Sequence, residues 1–157
     1  MRRIALCLFA VAGLGAGAAC GGDDTPPLSS EEFVKQANAI CKDRDARVAQ
    51  EGKDILAKPN PSADELTEFF VKKAIPNARE KLEELGDLRP PTKDKAKVEK
   101  MLSAGEKALD AAEKGFKEGT STTVRQDDGS ELYQQLNKEF NELARELQLT
   151  DCAEKSS

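Results

Sequence analysis

Two serine–glutamate pairs with the same spacing, Ser29 with Glu32 and Ser62 with Glu65, stand directly ahead of apolar residues that recur at helical spacing. In such a capping box the serine hydroxyl accepts a hydrogen bond from the glutamate's backbone N–H. The glutamate carboxylate accepts one from the serine's N–H in return. Two of the amides that a helix start leaves without partners are thereby satisfied, so the box marks where a helix begins. Leu28, before the first cap, can pack on Phe33 as a hydrophobic staple and set the angle of entry. A chain punctuated in this way folds as helices with defined starts.

The first apolar stripe is Phe33, Ala37, Ile40, Cys41 and Val48, interrupted by Arg44 and Gly52 and stopped by Lys58-Pro59-Asn60-Pro61. The second is Leu66, Phe69, Phe70, Ala78, Leu82 and Leu85, with Gly86 closing the helix. Pro76 lies inside it; a proline removes a backbone hydrogen bond and costs about 3 kcal/mol in a straight helix, so a kink or break is expected at 72–75. After the rigid turn Arg89-Pro90-Pro91, Thr92 reads as the N-cap of a third helix along Val98, Met101, Leu102, Gly105, Leu109, Ala112 and Phe116. Its inner side carries Ala104, Gly105, Ala108, Ala111, Ala112 and Gly115, small residues that let a neighbouring backbone approach closely.

The polar stretch 117–127 reads as a loop, and Asp128 with Glu131 as the cap of a final helix. That helix has the cleanest stripe, Leu132, Leu136, Phe140, Leu143 and Leu147, with Lys138 and Arg145 facing away. Glu31 with Lys35, Glu68 with Lys72, Asp110 with Lys114 and Glu113 with Lys117 are spaced for ion pairs on solvent faces. Charged residues make up 34% of the chain and aromatics 4%, with no tryptophan and no histidine, a composition of solvated helices and not of sheets. Four amphipathic helices with mostly short connections predict an all-α, antiparallel up-down-up-down four-helix bundle, its second helix kinked at Pro76.

The first residues have a different character. Arg2 and Arg3, an apolar run at 4–14 and the small residues Gly17-Ala18-Ala19 lead to Cys20, the outline of a bacterial export signal ending on a lipid-attachment cysteine. The expected organisation is a signal peptide at 1–19, a flexible tether at 20–28, a helical domain at 29–153 and a disordered tail at 154–157. Lipid on Cys20 would hold the domain roughly 15 Å from the extracytoplasmic face of the membrane. Gly17 departs from the aliphatic residue preferred three places before a lipidated cysteine. Ala16-Gly17-Ala18 also satisfies an ordinary A-x-A cut, which would release a secreted protein beginning at Ala19. A membrane-spanning anchor is the third option, but it needs about 20 consecutive apolar residues, and the run turns Gly/Ala-rich after Leu14.

Of four cysteines, Cys7 leaves with the signal and three remain, an odd count that asks for an explanation in an exported chain. Lipid on Cys20 leaves Cys41 and Cys152 to pair in an oxidising compartment. The alternative is that Cys41 is a small buried hydrophobe and Cys152 a tail residue. The pairing also tests topology. If the first and last helices ran parallel, Cys152 would lie near Lys58, about 25 Å from Cys41 at 1.5 Å per residue. A disulfide needs Cα atoms within about 7 Å, so the bond closes easily only in the antiparallel arrangement.

Cys-Gly-Gly at 20–22, A-x-x-I-C at 37–41, L-x-x-L-x-x-L-x-P-P at 82–91 and L-x-L-x-x-C-A at 147–153 occur together. In this the chain resembles small secreted lipoproteins of actinobacteria and similar high-GC Gram-positive bacteria, over nearly the whole mature length. The resemblance implies an extracytoplasmic helical domain with its two non-lipid cysteines paired; it implies no active site.

Without histidine, the di-iron bundles, haem ligation by His, zinc enzymes and Ser-His-Asp catalysis are excluded. The carboxylates Asp43 and Asp45, Glu80, Glu83 and Glu84, and Glu139, Glu142 and Glu146 stand at helix-surface spacing, where a solvated face is the expectation. Residues 127–131 lack the alternating register of a calcium loop and read as helix capping. Tyr133 reads as a half-buried helix residue. No catalytic residue, cofactor or metal site is therefore expected. Loss of Arg2 and Arg3 takes the formal charge from −5 to −7, which disfavours nucleic acid and anionic headgroups. The expected role is a membrane-tethered, non-catalytic interaction or structural module of the cell envelope, engaging an envelope protein or the wall. The alternative is a binding protein for a small apolar or lipid-like ligand between the helices, where the third helix and the Pro76 kink could leave a gap.

Overall fold

The computed structural model describes residues 26–118 and 130–153, and every regular element among them is helical. Helix α1 spans Ser30–Leu56, α2 Ala63–Phe69, α3 Ile75–Asp87, α4 Lys95–Lys117 and α5 Ser130–Glu146. A π-helical segment, Phe70–Ala74, joins α2 to α3 without a break, so five helices make four rods. The two capping boxes form as expected. Glu32 N–H donates to Ser29 Oγ at 3.2 Å and Ser29 N–H to the Glu32 carboxylate at 3.2 Å, and the Ser62–Glu65 pair repeats the pattern at 3.2 and 2.9 Å.

Pro76 has its effect through the π segment. The Ile75 N–H reaches back five residues to the Phe70 carbonyl. The widened turn absorbs the amide that proline lacks, and Pro76 then sits in the first turn of α3, where a missing N–H costs least. The expected disturbance is thus a bulge spread over five residues and not a broken helix. Phe70, at its start, stacks on Phe116 of α4 with ring centres 4.7 Å apart and meets Phe69 edge-on at 5.3 Å.

The rods run up, down, up and down. Arg44 and Asp45 of α1 face Glu84, Glu80 and Lys81 of α3; Arg79 of α3 faces Glu106, Asp110 and Glu113 of α4; Lys97 and Lys100 of α4 face Glu146 and Glu139 of α5. Within these antiparallel pairs lies one core containing Phe33, Ala37 and Cys41 of α1, Leu82 and Leu85 of α3, Val98, Met101 and Ala104 of α4, and Phe140, Leu143 and Ala144 of α5. The Cys41–Cys152 disulfide is formed, with Cα atoms 5.0 Å apart and a sequence separation of 111.

Several local expectations are corrected. Thr92 does not cap α4: residues 92–94 form a turn in which Asp94 N–H donates to the Pro91 carbonyl at 2.8 Å, and the helix begins at Lys95. Gly86 does not end its helix, which runs to Asp87 and stops where Leu88 turns extended ahead of Arg89-Pro90-Pro91. Lys117 belongs to α4 and not to the loop. Leu132 is exposed instead of lining the core. Asp110 turns to Arg79 at 2.7 Å and leaves Lys114 to Glu118. The signal peptide, Cys20, residues 119–129 with the Asp128 cap, and the tail 154–157 lie outside the described residues.

Arg44 and Gly52 do not interrupt the inner face of α1; both are buried in it. The Arg44 side chain is spanned by two carboxylates of α3. Glu84 takes Nε at 3.2 Å and Nη2 at 2.5 Å, and Glu80 takes Nη1. Asn77 donates to the Arg44 carbonyl at 3.4 Å, while its own side-chain oxygen is buried with no partner among the described residues. Gly52 makes room for a ring: a Cβ there would stand 2.7 Å from Phe69 Cζ and 2.9 Å from Leu56 Cδ1. Gly52→Ala is therefore expected to destabilise by about 1–2 kcal/mol, the overpacking outweighing the better helix propensity of alanine. Urea denaturation checks this; a stabilised variant would show that Phe69 yields freely.

Candidate functional site

The sequence-predicted positions are not brought together into one site. Cys20 is outside the described residues, and the Cys41–Cys152 disulfide is a buried staple. The carboxylates anticipated as a solvated face are divided. Glu80 and Glu84 hold Arg44, Glu139 and Glu146 hold Lys100 and Lys97, and Asp45 takes Lys81 at 2.9 Å. Among the described residues no group of three or more His, Cys, Asp or Glu side chains is arranged to hold a metal, and no helix is long and apolar enough to cross a membrane.

A cleft of about 630 Å³ lies at the end of the bundle where the chain enters α1. Three segments distant in sequence line it: the first turns of α1 (Glu31, Phe33, Val34 and Lys35), the turn before α4 (Lys93 and Asp94) and the end of α5 (Leu147 and Gln148). Their convergence has local causes. The Leu28 N–H donates to the Arg89 carbonyl at 2.9 Å, pinning the entry of α1 against the α3–α4 turn. At the far end of α5, Gln148 N–H donates to the Arg145 carbonyl at 3.0 Å and Leu149 N–H to the Ala144 carbonyl at 2.8 Å. That is a Schellman turn, with Gln148 at φ 62° where glycine is usual. It sends Leu149 into the core and carries the chain across to Cys41.

The cleft has an apolar floor of buried Phe33 and Leu147 and half-buried Val34, and a rim of both signs. Lys35 and Lys93 are its cations; Glu31, Asp94 and Glu146 are its acids. The Lys97 ammonium, 2.7 Å away, holds the Glu146 carboxyl below the ordinary carboxylate value. Such a rim suits an amphipathic or zwitterionic group better than a simple anion. Neither the cleft nor Arg79, which holds three carboxylates of α4 at 2.7–3.0 Å, was anticipated from the sequence. A signal for Arg79 existed in the i, i+4 and i+7 spacing of Glu106, Asp110 and Glu113, a ridge that asks for a cation on the facing helix.

The electrostatics make a pH profile predictable. Lys58 and the Ser62 cap hold Glu65 at about 2; Glu32 is lowered by the Ser29 hydroxyl and N–H, Glu84 by Arg44, and Glu113 by Lys117 and then Arg79. Each folded-state value lies below the unfolded one, so the stability these groups contribute is present above the unfolded pKa and lost as pH falls through the folded one. With no histidine to titrate, the melting temperature is expected to be level from about pH 5 to 8 and to fall from about pH 4.5 toward 2. Circular dichroism across that range checks it; a decline beginning above about pH 6 would contradict it.

No protein-family model matches the sequence, and no curated protein or solved structure is similar to it.

Proposed function

We propose that this protein is an exported lipoprotein, anchored through lipid on Cys20, whose helical domain is a non-catalytic interaction and structural module of the cell envelope. The observation that carries the reading is the packed seam between α3 and α4. A Cβ on Gly105 would lie 3.0 Å from both δ-carbons of Leu82 and 3.1 Å from Phe140, so at Gly105 the seam is filled by side chains of α3 and α5. A domain closed at that seam works through its surface. The tether would leave from the end marked by the Leu28–Arg89 bond, and the opposite end then faces outward with its exposed apolar side chains, Leu56 and Leu132. The net charge of −7 without the signal favours a neutral or cationic protein partner over nucleic acid.

Two measurements test the reading. Cys20→Ala should move the protein from the membrane fraction to the soluble one; unchanged fractionation overturns the anchor, and a mature N-terminus at Ala19 would establish ordinary secretion. Crosslinking on intact cells from a probe at Leu56 or Leu132 should capture an envelope protein, whereas the same yield from a probe on the tether side would remove the outward face as the contact.

A second reading rests on the cleft, whose volume of about 630 Å³ falls in the range of small-ligand sites. It makes the domain a binding protein for a small lipid-like molecule, held at the end of the bundle instead of between the second and third rods. Native mass spectrometry of protein isolated from its own host would show a bound species displaced by Val34→Trp; protein that carries none excludes this reading.

A further inference from the structure

Residues 147–153 leave α5 through the Schellman turn and lie along α1, held there by contacts of several kinds. Leu149 is fully buried and Leu147 and Cys152 are nearly so. Asn38 of α1 bridges the segment: its Nδ2 donates to the Gln148 carbonyl at 3.3 Å, and its Oδ1 accepts from the Asp151 N–H at 2.9 Å. The Cys152 and Ala153 N–H groups both fold back on the Leu149 carbonyl at 3.1 Å, so the segment is a compact unit. Against these stands Gln148, in a left-handed conformation that side chains other than glycine rarely adopt. The two sulfurs lie beneath, Cys41 wholly inaccessible and Cys152 at 6% exposure. Thiol–disulfide exchange needs a thiolate to reach one sulfur, so the closed segment bars it.

We propose that residues 147–151 lift from α1 as one strap while Cys152 stays tied to Cys41, and that this local opening, not global unfolding, admits reductants to the Cys41–Cys152 bond, making the strap a redox-sensitive latch. A dithiol reductant reacts only with the open form. One of its thiolates attacks a cystine sulfur, the S–S bond breaks, and the other cysteine leaves as a thiolate that takes a proton from water. The second thiolate of the reductant then attacks the mixed disulfide, closes the reductant's own disulfide and releases the remaining cysteine. Two electrons pass to the protein, and the reductant is oxidised. In the reduced protein the strap is held by burial of Leu147, Leu149 and Cys152 and by the Asn38 bonds. Its opening bares Ala37 and Cys41 on the same face as Phe33 and takes Leu147 and Gln148 out of the lining of the cleft. The latch does not depend on lipid at Cys20.

The test uses the mature protein with its disulfide intact, exposed to dithiothreitol and quenched with an alkylating agent, with labelling of both cysteines read by mass spectrometry. Hydrogen exchange of core amides gives the global unfolding rate. Reduction should be about a hundredfold slower than in an unstructured peptide, yet at least about tenfold faster than global unfolding. Asn38→Ala should speed it about threefold to tenfold by removing two bonds that hold the strap down. Gln148→Gly should slow it about twofold to fivefold by relieving the left-handed residue. Reduction as fast as in the peptide, reduction no faster than global unfolding, or equal rates in the two variants would each overturn the latch.

Discussion

Reduction of the Cys41–Cys152 bond, or its removal by Cys41→Ala with Cys152→Ala, is expected to lower the melting temperature by about 10–20 °C while leaving most of the helical circular dichroism in place. With the cysteines separated by 111 positions in sequence, the chain-entropy account of a cross-link gives roughly 4–5 kcal/mol, an upper figure that native-state relaxation can reduce. At the usual few degrees per kcal/mol for a domain of this size, that is the quoted shift. The bond also closes the ring. α1 packs on α3, α3 on α4, and α4 along α5, whereas the joint between α1 and the C-terminal end of the bundle is made by residues 147–153. The helices keep their caps and stripes when the bond is gone, and the last joint becomes the weak one. A shift below about 3 °C would mean that burial of Leu149 and Cys152 alone holds the joint.

Arg44→Ala is expected to cost about 2–3 kcal/mol, and Arg44→Met about 1 kcal/mol or less. The difference follows from where the two halves of the side chain lie. The stem is buried among α1 and α3, whereas Glu80 and Glu84 keep roughly half of their surface in water, so their attraction for the guanidinium is screened. Methionine preserves the stem; alanine leaves a gap. Of the two carboxylates Glu84 should matter more, because it accepts two of the three hydrogen bonds and because Arg44 is the first cause of its lowered pKa. Chemical denaturation of the two Arg44 variants, with Glu84→Gln and Glu80→Gln, measures this. Equal losses for Ala and Met would place the energy in the charge and overturn the account.

Much of the fold was legible because its signals are local. Ser29, Ser62 and their glutamates specify helix starts through hydrogen bonds made within four residues, and those starts stand where expected. Pro76 announced a disturbance at 72–75; a π segment at Phe70–Ala74 accommodates it, and Phe70 at its start stacks on Phe116, 46 positions away in sequence. Arg44 was misjudged because a periodicity argument treats any charge as a break in the stripe. A buried arginine needs carboxylates from another helix, and Glu80 with Glu84 declare themselves only once α1 and α3 are side by side. Leu132 failed in the opposite sense, its apolar character suggesting a burial that the packing of α5 on α4 does not provide at that end. The cleft was invisible because it belongs to no segment: residues 30–35, 93–94 and 146–148 are brought together by the folded chain, with the Leu28–Arg89 bond and the turn at Gln148 among the contacts that do so. That turn broke the rule that places glycine after a helix, since burial of Leu149 and the reach to Cys41 require the left-handed residue whatever its side chain.

The placement of Cys41 partway along α1 has a mechanical consequence. A pull on the chain ahead of Leu28 first loads the Leu28–Arg89 hydrogen bond and then the turns of α1 up to Cys41. There the tension meets a covalent link and passes through Cys152 into the end of α5. Only the stretch between Leu28 and Cys41 can be drawn out under force. Behind it the remaining bundle bears the load from two rods at once, as a knot behind a cleat stops a rope from running.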